Sequence, residues 1–185
     1  MFRSRRRRSL AFTLVEVLAV GAIMSGAHSQ GNYTYGLNRA NELKGVHNLK
    51  QIHLVLRMES MMKGKLPSAA FFPKGDPAKD PKSITRLLKD VPQQMFVSPF
   101  APAALKKRGL TFAWNDSVNG KSLDRLPKKT WLLIDIAAFI TDKKVPKPRS
   151  YMILYADGTA KAVKVLPPDI VKAVKAAQAK GKRTQ

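Results

Sequence analysis

The sequence predicts an α+β fold: a long N-terminal helix packed on a small antiparallel sheet, with a short C-terminal helix. Three observations predict it. An apolar run from Leu10 to about Ala27 is followed by a stripe at Val46, Leu49, Ile52 and Leu56, whose spacings of three, three and four mark one face of a helix. Four strand-like runs come later, over 110–114, 130–136, 150–156 and 160–166, with Asp157-Gly158 between the last two. Pro167-Pro168 then closes the sheet region, and an apolar face at Ile170, Val171, Val174 and Ala177 comes after it.

The first helix is expected to run from about Leu37 to Met62 in its amphipathic part. Lys44, Asn48, Lys50, Gln51 and Arg57 fall mostly off the apolar stripe, Gly64 is a suitable C-terminal stop, and Pro67 lies just beyond. Residues 67–109 are rich in Pro, Lys and Gly and read as a loop region with one short helix over 83–89. In the third strand Tyr151, Ile153 and Tyr155 alternate with Met152, Leu154 and Ala156, so both faces are apolar and both need cover. Asp157-Gly158 reads as a two-residue hairpin turn, because glycine tolerates the positive φ that such turns require. Asp169 reads as the cap of the final helix, which is expected to run to about Ala179.

The chain has 185 residues, of which 44% are hydrophobic, enough for one modest domain with its own core. It has no cysteine, which excludes disulfides and thiolate metal sites. Basic residues number 34 against 12 acidic ones, a formal charge of +22. Such an excess attracts DNA or another anionic surface. Arg3, Arg5, Arg6, Arg7 and Arg8 cluster at the start, but most of the excess lies elsewhere, spread as a solvated basic surface. In the last helix Lys172, Lys175, Lys180, Lys182 and Arg183 form a basic face and tail.

The arginines before an apolar run place the N-terminus in the cytoplasm and send the rest of the chain outward. Three readings compete: a cleaved secretory signal, an ordinary anchor, and a processed assembly helix. Glu16 interrupts the apolar run, and a carboxylate in hydrocarbon costs on the order of a few kcal/mol, so it asks for a partner. A cut between Ala11 and Phe12 would give Phe12 a new α-amino group and make Glu16 the fifth residue. In a stack of such helices the carboxylate of one copy can pair with the terminal ammonium of its neighbour. From Phe12 to Ala27 the run gives roughly 24 Å of helix against a hydrocarbon core of about 30 Å. A break near Gly31, favoured by Gly26 and Gly31, or local thinning of the bilayer would reconcile the two lengths.

The run Arg8-Ser9-Leu10-Ala11-Phe12-Thr13-Leu14-Val15-Glu16-Val17-Leu18 resembles the cleavage and methylation motif of type IV prepilins and type II secretion pseudopilins. Seven successive residues, Phe12 to Leu18, fit it, and Ala11 stands where the family usually has Gly. The resemblance implies cleavage between Ala11 and Phe12 by a prepilin peptidase, methylation of Phe12 and subunit pairing through Glu16. It also implies a pilin-like fold. The stretch Asn48-Leu49-Lys50-Gln51-Ile52 with Gly64-Lys65-Leu66-Pro67 is similar to the pseudopilin helix exit, with Leu66 in place of an aromatic residue. Tyr155-Ala156-Asp157-Gly158 resembles the family's last hairpin. Some members use that aspartate for calcium, but too few acids lie near Asp157 here to support a metal.

The organisation expected is a basic leader over 1–11, a membrane-embedded helix over 12–30 and an amphipathic helix over 31–66. A loop region with the sheet over 67–166 and a basic helix and tail over 167–185 complete it. The function expected is a structural subunit, not an enzyme. It would sit single-pass in the cytoplasmic membrane, N-terminus inside, and assemble with other pilin or pseudopilin subunits into a pilus or secretion pseudopilus. Two alternatives stand beside it: an exported basic binding protein cut after Ser25-Gly26-Ala27, and a DNA-binding minor pilin. No catalytic constellation and no cofactor motif is found. His47 and His53 are six apart, on nearly opposite sides of a helix, so they form no metal pair, and His28 is remote from both. Asp135 and Asp157 are isolated acids beside strands, and Trp114 and Trp131 read as core anchors.

Overall fold

The computed structural model describes residues 14–140 and 148–182, with side chains described over 35–140 and 148–176. The chain divides into two compact units, Met1–Ala40 and Asn41–Gln185. The elements are a long helix α1 (Leu14–Lys63), short helices α2 (Ile84–Leu87) and α3 (Ala103–Lys106), and a terminal helix α4 (Pro168–Lys182). The strands are β1 (Phe112–Trp114), β2 (Trp131–Asp135), β3 (Tyr151–Tyr155) and β4 (Ala160–Val163). The fold is therefore α+β, with a long N-terminal helix, a four-stranded antiparallel sheet and a short C-terminal helix.

The helix α1 continues through Gly26 and Gly31 without interruption, so the expected break near Gly31 is not present. One helical glycine costs only about 0.5–1 kcal/mol, too little to end a helix that gains hydrogen bonds on both sides. Among the described residues no helix is long and apolar enough to cross a membrane. The expected membrane segment, 12–30, begins outside the described residues, and its side chains lie outside them throughout.

Helix α1 stops at Gly64, where φ turns to +68°. The chain is caught immediately: Leu66 N–H donates to Lys121 O at 2.8 Å, and Gly120 N–H donates to Leu66 O at 3.3 Å. The stripe residues Leu49, Ile52 and Leu56 are completely buried, and Val46 packs beside them. Burying each such side chain contributes about 1.5–3 kcal/mol. Their partners include Phe112 and Trp114 of β1, Leu132 and Leu133 of β2, and Met152 and Leu154 of β3.

The sheet is a meander in the order β1-β2-β3-β4, antiparallel throughout. Its other face carries Ala113, Trp131, Ile134 and Ile153, and there Ile170 and Val174 of α4 pack. Both faces are thus covered, as the apolar alternation of β3 requires. The register of β2 against β3 shifts between Trp131 and Leu133. This bulge inserts one residue, so Leu132 and Leu133 both join the α1-side core while Trp131 and Ile134 turn to the α4 side.

Residues 67–109 contain α2 within the short helix expected over 83–89, but the rest is more than the loop expected. They supply Ala69, Ile84, Leu88, Val91 and Phe96 to the main core, and α3 and a 3₁₀ turn over Gln93–Phe96 were not foreseen. Asn119 ties this stretch down. Its Oδ1 accepts from Ala69 N–H and from Trp114 Nε1, and its Nδ2 donates to Ala69 O. Asp169 is not the cap of α4, since the helix begins at Pro168 and Val171 N–H donates to Pro167 O. Proline at the first helical position loses no bond, and Asp169 in the first turn still complements the helix dipole.

The β3–β4 connection is also longer than the two-residue turn expected. Tyr155 N–H donates to Thr159 O at 2.9 Å, and Gly158 N–H donates to Tyr155 O at 3.0 Å. Ala156, Asp157 and Gly158 therefore form a three-residue loop, with Gly158 at φ +83°. A Cβ on Gly158 would lie 2.9 Å from Cε1 of the His53 ring. Gly158→Ala should therefore destabilise the fold by about 1–3 kcal/mol, through left-handed strain and displacement of that ring. The check is a lower denaturation midpoint with an unchanged m-value.

Candidate functional site

Ala11 and Phe12, where processing is expected, lie outside the described residues. Glu16 lies on α1, and its side chain is outside them as well. The site that the described residues do form is a cleft of about 370 Å³ between α1 and the β3–β4 loop. It is bordered by His53 and Arg57 from α1, Asp124 and Lys128 from the β1–β2 connection, and Asp157 from the loop.

His53 faces inward because it adjoins Ile52 on the buried side of α1, and it is itself buried. Its Nε2 lies 3.0 Å from Ala156 O. A carbonyl oxygen only accepts, so Nε2 carries the proton in this arrangement. That bond fastens α1 to the hairpin 103 residues later. His47 lies on another side of the helix, and the structure keeps the two histidines apart.

Asp157 accepts a hydrogen bond from Thr159 N–H at 2.8 Å. Burial works against its charge, but the Thr159 N–H and hydroxyl and the nearby His53 outweigh that and hold its carboxyl below the usual range. The neighbouring Tyr155 is pushed up, by burial first and then by the charges of Asp169 and Asp157. Arg57 and Lys128 stand exposed at the rim. The cleft thus offers two exposed cations and two carboxylates, Asp124 and Asp157, and its lining has no serine, threonine or cysteine to act as a nucleophile. Among the described residues no set of three or more metal-ligating side chains converges on a metal position.

Asp135 and Asp157 stand at opposite ends of the β2–β3 pair, since Trp131 pairs with Tyr155 whereas Ile134 pairs with Ile153. Trp114 and Trp131 are both core residues, on opposite faces of the sheet. Asp135 is 1% exposed and accepts from Met152 N–H. Burial pushes its carboxyl up to about 7, against the lowering effect of the Met152 N–H and the Ser98 hydroxyl. Tyr151 beside it is also raised, by burial and then by the Asp135 charge. The sequence signal was a lone acid in the apolar run Trp131–Ala138. The grouping of Arg57, Lys128 and Asp157 had no sequence signal, because these residues are brought together only by the fold.

The sign of the Asp135 effect is set by linkage. A carboxyl whose folded pKa is raised favours the fold fully below its unfolded value of 3.8 and loses that advantage as pH climbs to about 7. Asp135→Asn keeps an acceptor for Met152 N–H and carries no charge. Above about pH 7 the variant should be more stable than the parent by on the order of a few kcal/mol, and the difference should vanish in acid. Paired denaturation curves across that range measure it, and parallel pH profiles would contradict the assignment. No protein-family model, curated protein or solved structure matches this chain.

Proposed function

We propose that this chain is a pilin or pseudopilin subunit, anchored in the cytoplasmic membrane and assembled through its N-terminal helix into a pilus or a secretion pseudopilus. The observation that carries the reading is the register of the N-terminus: Ala11, then Phe12 through Leu18 in the prepilin order, with Glu16 as the fifth residue after the cut. That register gives an otherwise costly carboxylate a partner, the α-amino group of a neighbouring Phe12. The partners are a prepilin peptidase and further subunits of the same type.

The fold supports the reading in two ways. A 50-residue helix precedes an antiparallel sheet that packs on its C-terminal part. On the side of α1 away from that sheet, Leu43, Leu54, Met58 and Met61 are each more than half exposed. They recur at helical spacing and make a second apolar stripe suited to a neighbouring helix. The apolar run is short for a bilayer, so the anchored subunit relies on local thinning of the membrane.

N-terminal sequencing of the mature protein tests the reading directly. The result expected is Phe12, methylated; a chain beginning at His28 would establish the exported binding protein instead. Ala11→Leu should block processing, because the peptidase site requires a small residue there, and unchanged cleavage would exclude this peptidase.

Glu16→Ala should be inserted and processed normally but fail to assemble. In a packed bundle water is excluded, and removing the carboxylate leaves the neighbouring ammonium unpaired, at a cost of about 3–5 kcal/mol. Recovery of the processed variant in sheared filaments at the parental level would sink the pairing role.

A further inference from the structure

Three clefts adjoin one another within the unit Asn41–Gln185. The first, about 450 Å³, contains Lys121 and Arg125; the second is the His53 cleft with Arg57 and Lys128; the third, about 350 Å³, contains Lys129, Lys161 and Tyr155. Leu126 borders both the first and the second. Lys128 and Asp157 border both the second and the third. The clefts therefore form one continuous groove.

Its cations are available. Among the described residues none of these six lysines and arginines is in an ion pair, whereas Lys63 is held by Glu59 and Lys79 by Asp76. Three carboxylates also border the groove, Asp124, Asp157 and Asp169, so its cations outnumber its anions by six to three, and Asp157 is held in place by Thr159 N–H. Each cleft has the volume of a small-molecule site, enough for one nucleotide-sized unit. A lipid surface is flat and cannot enter such clefts, and a duplex is too wide for them. A single strand can place successive units in successive clefts, with its phosphates on the rim cations and a base on the ring of Tyr155.

We propose that this groove binds single-stranded nucleic acid. The proposal is independent of filament assembly: a chain that binds the strand and does not assemble would refute only the filament reading. The test is fluorescence anisotropy of labelled oligothymidylate with the full chain in detergent micelles, over a salt series. The parent should bind the single strand in preference to a duplex of the same length. The triple variant Arg57→Glu, Arg125→Glu, Lys128→Glu should weaken binding by at least about tenfold and flatten the salt slope by about 2, as expected for three lost phosphate contacts. A control triple, Lys82→Glu, Lys89→Glu, Lys107→Glu, changes the charge equally, lines none of the clefts, and should stay within about threefold of the parent. Tyr155→Phe should bind like the parent and Tyr155→Ala several-fold more weakly, an arm that remains decisive if the triple variant fails to fold. The proposal is overturned if the control triple weakens binding as much as the groove triple, or if Tyr155→Ala binds like Tyr155→Phe. It is equally overturned if a duplex or phosphatidylglycerol vesicles displace the strand as well as unlabelled single strand does.

Discussion

The contact between the buried stripe of α1 and the sheet is the constraint on which the rest of the structure depends. Leu49, Ile52 and Leu56 are wholly buried against residues from β1, β2 and β3, so three strands and one helix share a single core. A helix period of 3.6 and a strand period of 2 meet there, and each fixes the orientation of the other. With the stripe inward, His53 is also turned inward, toward the β3–β4 loop, and Leu43, Leu54, Met58 and Met61 are turned out. The two faces of α1 in this unit thus result from one packing decision: one face builds the domain and the opposite face is left exposed.

The sheet solves a second problem, that both its faces are apolar. The α1-side face is large and the α4-side face is smaller, and a bulge in β2 divides the residues between them. Without the inserted residue, Leu132 and Leu133 would point to opposite faces. Helix α4 then needs only Ile170, Val174 and a few part-buried neighbours to close the second core. Asp135 ends β2 inside this packing, where water does not reach its carboxyl. Its hydrogen bonds to Met152 N–H and Ser98 are those of a group kept for local order, at the expense of stability once the pH rises.

Much of this was legible in the sequence because it is periodic. The α1 stripe, four strands and the final helix all carry local patterns of hydrophobicity, and glycine and proline punctuate them. The hairpin was legible as a turn but not as a three-residue one, since Asp157-Gly158 suits both forms and the register is set by the pairing of Tyr155 with Thr159. The bulge at Leu132 has no local signal, because Trp-Leu-Leu-Ile is apolar in either register. The core contribution of Phe96, Leu88 and Ile84 was hidden by the prolines and lysines around them, which imply exposure of the stretch as a whole. The Arg57, Lys128 and Asp157 grouping is non-local, and no pattern along the chain announces it. For the N-terminus the reverse holds: the order Phe12 to Leu18 is plain in the sequence, and its side chains lie outside the described residues.

The charge of the chain bears on both proposals together. Even without its five leader arginines the chain keeps a large excess of basic residues, so copies of it repel one another, and the repulsion between exposed charges extends about 8 Å at physiological salt. The proposed assembly in a filament would therefore have to draw on interactions that are short-ranged and screened little by salt. The outer stripe of α1 and the proposed Glu16–Phe12 pair would be of that kind, since apolar burial is insensitive to the charge balance and a desolvated pair is shielded from ions. The exposed cations are different: they add to the repulsion between neighbours unless an anion neutralises them. A bound phosphodiester strand supplies such charge at regular intervals and releases the counterions that otherwise do so. If both proposals hold, the groove and the filament would be coupled through charge: a polyanion in the groove would lower the repulsion that the helix packing has to overcome, and low salt without a polyanion would be the condition in which assembly is hardest.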